Sequence, residues 1–137
     1  LRKIASGILH NTKQALTPPG KQIHSRVEGD DVLLPLQQAT AVALILNELI
    51  QNAIEHGFKA QEVGHIHVQV RDSDSLVTLI VTNDGLPLPP DFDANKSNTL
   101  GLKIIDNLTR GTLRGKFTMV STDELTTATL SFPRMSG

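Results

Sequence analysis

Asn47-Glu48-Leu49-Ile50-Gln51-Asn52-Ala53-Ile54-Glu55-His56 closes the longest periodic stretch of the chain, and its reading decides the fold. From about Leu36 to His56 the apolar residues Ala39, Val42, Ala43, Leu46, Leu49, Ile50 and Ala53 recur at helical spacing and fall on one face. Gly57 follows where a helix stop is favoured. With Glu48 set at zero and a step of about 100° per residue, Asn52 lies at about 40°, Glu55 at about −20° and His56 at about 80°. The apolar face centres near about 150° on the same wheel. The predicted helix therefore carries a polar ridge of Glu48, Asn52, Glu55 and His56 beside its core stripe. A carboxylate, a neutral amide and an imidazole on one rigid ridge suit a divalent cation and a proton transfer. An asparagine oxygen ligates Mg²⁺ without adding charge, and Mg²⁺ keeps waters and substrate phosphates as its other ligands. Taken alone, the ridge reads more readily as an ordinary solvated helix face.

The rest of the chain sets the frame. Its 137 residues correspond to one domain, residues 1–137. A chain of this length buries enough surface to hold a core without staples. Cysteine is absent, which excludes disulfides, thiol nucleophiles and cysteine metal sites. Tryptophan and tyrosine are absent too, so the core is aliphatic and stacking platforms for single-stranded nucleic acid are not expected. No apolar run reaches the ~20 residues of a membrane span, and the N-terminal segment lacks a signal-peptide pattern. The expectation is a cytoplasmic domain, cut from a longer protein, that contacts neither membrane nor nucleic acid. The net charge of −1 hides an uneven distribution. Residues 1–27 hold five Lys/Arg and no acids, residues 28–93 hold eleven acids and two basics, and residues 94–137 hold six basics and three acids.

Outward from the long helix, Leu1 to about Leu16 repeats Leu1, Ile4, Ala5, Ile8, Leu9 and Leu16 at helical spacing, and Thr17-Pro18-Pro19-Gly20 ends it. Lys21–Val27 and Val32–Leu34 read as two short strands around the turn at residues 28–31. His65–Arg71 alternates, with Ile66, Val68 and Val70 facing one way. A turn over Asp72–Ser75 leads into Leu76–Thr82, which is apolar on both faces and is expected to be central in a sheet. Residues 83–98, with Pro87, Pro89 and Pro90, read as a long loop, a length that usually signals function. Leu100 to about Leu108 reads as a helix, and Phe117–Ser121 with Thr126–Phe132 as a final hairpin. The order α, ββ, α, ββ, loop, α, ββ implies an α+β fold: a mixed, mostly antiparallel sheet with helices packed on one face.

Two further motifs stand near that ridge in sequence. Asn83-Asp84-Gly85-Leu86-Pro87 follows the buried strand; a carboxylate there accepts from an exocyclic amine, and a glycine lets a planar ligand approach the backbone, although Asp-Gly is also a common turn. Thr99-Leu100-Gly101-Leu102-Lys103 opens a helix, whose first N–H groups attract phosphate; it also reads as an ordinary N-terminal turn. NELIQNAIEH, NDGLP and TLGLKII, in this order and spacing, resemble the N, G1 and G2 boxes of the GHKL ATPase superfamily. Within it the chain resembles the catalytic, ATP-binding domain of a bacterial sensor histidine kinase, and TTATLSFP resembles that family's last strand.

The resemblance implies a Bergerat-type two-layer α/β sandwich that binds ATP and Mg²⁺. It implies that Asn52 holds Mg²⁺ against the phosphates and that Glu48 assists as a base or polarises the attacking group. Asp84 would recognise the adenine amine beside Gly85. Gly101 and Leu102 would form the turn near the phosphates, residues 86–98 the lid, and Thr126 a contact near the base. Many members carry a lysine or arginine where this chain has Glu55; Lys96, Lys103 and His56 are the candidates to replace it at the phosphates. The implied partners are a dimerisation and phosphoacceptor domain of the parent kinase and a response regulator. An anti-sigma-type serine kinase and a degenerate nucleotide-binding interaction module are the alternatives. His10 faintly echoes a phosphoacceptor, yet Pro18-Pro19 follows too soon for a dimerising hairpin. Gly115-Lys116 lacks the spacing and hydroxyl of a P-loop, and two histidines, His65 and His67, do not complete a zinc site.

Overall fold

The computed structural model describes residues 1–88, 99–122 and 124–135. Helix α1 spans Arg2–Leu16 and is followed by strand β1, Gln22–Gly29. Helix α2, Leu36–Asn52, runs on into a π-helical turn over Ala53–Gly57. The hairpin β2 (Val63–Ser73) and β3 (Leu76–Asn83) comes next, then α3 (Leu100–Asn107), which also ends in a π-helical turn, Leu108–Leu113. Strands β4 (Lys116–Ser121) and β5 (Thr126–Pro133) complete a five-stranded sheet ordered β1-β2-β3-β5-β4.

The sheet follows from alternation. Ile66, Val68 and Val70 on β2 are buried, as are Val77, Leu79 and Val81 on β3 and Ala128, Leu130 and Phe132 on β5. All face the helical layer. The alternate residues of β2 and β3 are half-buried or exposed, because the helices cover one face only. Strand β3 is central as its composition suggests, but its second apolar side is not buried. The β2–β3 hairpin turns at Asp74 and Ser75, both in the left-handed region (φ 51° and 65°), which matches the twist of the flanking strands.

One expectation is corrected at the first hairpin. Val32–Leu34 is not a strand; residues 30–35 form an irregular link. Strand β1 instead lengthens to Gly29 and pairs with β2 in parallel, Gln22 opposite Val63 through Gly29 opposite Val70. A parallel pair needs a long crossover, and α2 supplies it. Val32 is still buried, as a plug between elements. The remaining strand pairs are antiparallel, so the sheet is mixed and the architecture is the α/β sandwich expected.

Helix α2 buries Gln38, Ala41, Val42, Ile45, Leu46, Leu49 and Ile50 against the sheet and neighbouring helices. Gln38 is fully buried and satisfied at both ends: its amide donates to Pro133 O at 2.9 Å and its carbonyl accepts from Met135 N at 3.0 Å. No helix among the described residues is long and apolar enough to cross a membrane.

Candidate nucleotide-binding site

A cavity of about 460 Å³ opens between the C-terminal half of α2, the end of β3, the start of α3 and the β4–β5 hairpin. Glu48 and Asn52, one helical turn apart, stand on the α2 side, and His56 and Glu55 lie exposed at its rim. The start of α3 closes against them. Thr99 caps that helix, accepting from the Leu102 N–H at 3.4 Å. A methyl group at Gly101 would stand 2.7 Å from Glu48 Oε2 and 4.0 Å from Asn52 Nδ2. The glycine is thus what allows the α3 backbone to sit beside these two polar groups. Leu102, 7% exposed, supplies an apolar wall with Leu49, Ala53, Leu86, Leu88 and Met119.

The other end of the cavity is built by the sheet. Asn83 and Thr126 are register partners on β3 and β5, and both line it. Thr126 is buried, its Oγ1 2.5 Å from Ser121 Oγ, which in turn accepts from the Leu88 N–H at 2.9 Å. Gly57, where the π-helical turn ends, presents its carbonyl to this corner, where it accepts from the Leu86 N–H at 2.7 Å. A methyl group at Gly85 would lie 2.6 Å from the Gly57 carbonyl carbon and oxygen, so the two glycine backbones clamp the turn after β3 against the end of the α2 helix.

The residues singled out from sequence divide accordingly. The structure brings Glu48, Asn52, His56, Gly101, Leu102 and Thr126 to one cavity. Gly85 supports the wall through Gly57 without lining it. Lys103 is exposed on α3 and does not line the cavity. Lys96 lies outside the described residues, as does the lid beyond Leu88. Asp84 is also absent from the cavity wall. Its Oδ1 accepts the His65 backbone N–H at 2.7 Å, and its Oδ2 lies 2.7 Å from His65 Nδ1. The pleat explains this. Val77, Leu79, Val81 and Asn83 share the inward face, so the next residue turns to the other side. Asn83, which occupies the cavity wall instead, was legible as the continuation of that alternation.

On the outer face, His24 stacks on His65 with ring centroids 5.3 Å apart. His67 Nε2 lies 2.7 Å from Glu28 Oε1. Partial burial pushes the Glu28 carboxyl up, but the Arg26 guanidinium and the His67 contact outweigh it and hold the group below its ordinary value. These residues meet across the parallel β1–β2 pair, and no group of three or more metal-ligating side chains exists among the described residues. The electrostatics of the cavity differ: its described lining holds Glu48 and Glu55 but no lysine or arginine.

The family of histidine kinase-, DNA gyrase B- and HSP90-like ATPases matches residues 37–136, from the start of α2 to the end of β5. The chain belongs to this ATPase family. The domain is homologous to that of sensor histidine kinases. It is 38% identical over 92 residues to sensor histidine kinase PdtaS of Mycobacterium tuberculosis, a stretch covering 66% of this chain and 18% of that protein. It is 29% identical over 113 residues to blue-light-activated histidine kinase 2 of Erythrobacter litoralis, covering 81% of this chain and 31% of that protein. The chain therefore spans less than a third of the curated relatives it matches. The ATPase domain superposes on the histidine kinase domain of EL346 from Erythrobacter litoralis with a TM-score of 0.79 at 24% identity, covering 96% of this chain and 58% of that one. Against the catalytic domain of histidine kinase ThkA the TM-score is 0.77 at 21% identity, over 100% and 95% of the two chains. At these identities the structural likeness is one of fold.

Proposed function

We propose that this ATPase domain binds ATP with Mg²⁺ and delivers the γ-phosphate to a histidine on a separate dimerisation domain of its parent kinase, from which the phosphate passes to a response regulator in the cytoplasm. The observation that carries this reading is the convergence of Glu48, Asn52 and the Gly101 turn at one end of the cavity. The sensor histidine kinases among its relatives support the reaction class, and the complex of ThkA with response regulator TrrA supports the kind of partner.

The donor set fits Mg²⁺. A carboxylate and an amide oxygen one turn apart are hard oxygen donors, and both line the cavity of about 460 Å³. Bound there, Mg²⁺ would neutralise phosphate charge. Asn52 would hold it, and Glu48 would polarise the attacking imidazole. The N–H groups that open α3 would face the phosphates with the positive end of the helix dipole. Phosphoryl transfer needs little more than such positioning and charge stabilisation.

The test is Asn52→Asp in the parent kinase, followed by labelled phosphate from ATP. The variant is expected to fold and to lose phosphorylation. Normal incorporation by the variant would sink the assignment. In the unaltered kinase, acid-labile label marks phosphohistidine, whereas acid-stable label would assign the serine kinase instead.

A further inference from the structure

The cavity has two unlike ends. Glu48, Asn52 and Gly101 meet at one; Gly57, Asn83 and Thr126 meet at the other. From Glu48 to Gly57 the helix advances about 13 Å at its usual rise, a span that fits a nucleoside triphosphate lying along it. With phosphates at the Asn52 end, the base reaches Asn83. This step rests on the nucleotide reading above.

At that end the chemistry is specific. Asn83 Oδ1 accepts the Gly85 backbone N–H at 3.0 Å, and it lies on the side of Gly57, 3.5 Å from where a methyl group there would sit. The turn thus fixes which way the amide faces, since a backbone N–H demands the oxygen. With the oxygen engaged by the turn, the arm wholly free for a ligand is NH₂, a donor. The nearest carboxylate in sequence, Asp84, is committed to His65 on the opposite side of the sheet. Neither Asp nor Glu from the sheet lines the cavity among its described residues.

Adenine is distinguished from a 6-oxopurine by its exocyclic amine, which must give its proton to an acceptor. An NH₂ donor instead finds ring nitrogens in either purine, or the 6-oxygen. We propose that Asn83 is the residue that faces the base, and that its neutral amide makes this site accept adenine and 6-oxopurine triphosphates alike. Strong discrimination arises when a mismatch leaves a buried polar group unpaired, and Asn83 in this orientation imposes no such mismatch. A carboxylate at the same position would. One oxygen would still accept from Gly85 N–H, the other would accept from the adenine amine, and it would repel a 6-oxo group.

The experiment compares binding of MgATP and MgITP to the 137-residue chain and its Asn83→Asp variant by calorimetry. ITP differs from ATP at the purine 6-position and its adjacent ring proton. The unaltered chain is expected to bind the two within about threefold of each other, and Asn83→Asp to shift the ratio toward ATP by about tenfold or more, the size of one charge-assisted hydrogen bond. A preference of tenfold or more for either nucleotide in the unaltered chain overturns the inference. So does a ratio that Asn83→Asp leaves unchanged. Binding of neither nucleotide by the unaltered chain overturns the nucleotide reading itself, a result separate from lost discrimination. Thermal unfolding of the variant without ligand shows that the turn still forms, and a ratio of affinities does not move with a merely structural role for Asn83.

Discussion

A β-carbon at Gly101 would meet Glu48 Oε2, the far end of a side chain that can turn aside, whereas one at Gly85 would meet the backbone of Gly57, which cannot. The two positions therefore separate function from folding. Gly101→Ala should leave the midpoint of thermal unfolding within a few degrees, because the carboxylate yields at a cost of about 1 kcal/mol or less. It should nevertheless lower MgATP binding by about tenfold, since Glu48 is displaced and the α3 backbone moves off Asn52. Gly85→Ala should destabilise the chain by about 2–3 kcal/mol, the usual range for forced overpacking, read as a lower urea midpoint at unchanged slope. Equal destabilisation by both variants would contradict this division. The same scale shows where sequence reading stops. Asp84 has the stronger chemistry of its pair, so it attracts the functional role; strand parity, not residue type, decides which of Asn83 and Asp84 enters the cavity. Glu48 and Asn52 needed no such choice, because the helical period alone places both on one side.

Helix α2 is the element that joins core and cavity, and its start is tied down by Gln38. The buried amide bridges the end of β5 through Pro133 O and Met135 N. Gln38→Ala removes both bonds and leaves a void, and is expected to cost about 2–4 kcal/mol by denaturant unfolding; a loss under 1 kcal/mol would show that the bridge is dispensable. The helix was legible because its apolar face repeats over five turns. Its last turn was not. Ala53 and Ile54 are both buried and the backbone widens to a π-helical turn, a change of pitch that leaves no mark in a periodicity read at one fixed angle. The parallel pairing of β1 was hidden for a different reason. Val32–Leu34 looks like a strand partner because it is apolar and close, but pairing is settled by contacts made across the crossover. There Gly29 lies opposite Val70, and Asp30 N–H reaches Val70 O at 2.8 Å. Local pattern carries no information on that distant register.

Charge is the property of the whole molecule that bears most on how the cavity is filled. The central segment, residues 28–93, carries eleven acids against two basics, and it contributes α2 and the end of β3 to the cavity walls. The described lining offers Glu48 and Glu55 to a polyphosphate and no lysine or arginine in return. Two opposed demands meet here: the apolar walls favour the base, while the carboxylates repel the phosphates. At the effective dielectric near 20 of a protein surface, like charges about 4 Å apart repel by roughly 4 kcal/mol, enough to outweigh the favourable dipole of α3, worth about 1 kcal/mol. On the proposed reading, a divalent cation held by Asn52 would reverse the sign of the local field, making the metal complex the species that binds. Nucleotide affinity should therefore fall by at least about a hundredfold when Mg²⁺ is removed with EDTA, equivalent to about 2.7 kcal/mol, with ATP binding followed by calorimetry at constant ionic strength. Glu55→Lys should recover part of that loss, because it places a cation on the cavity rim. Binding of metal-free ATP within about threefold of MgATP by the unaltered chain, less than 1 kcal/mol apart, would mean that cations outside the described lining do the work assigned here to the metal.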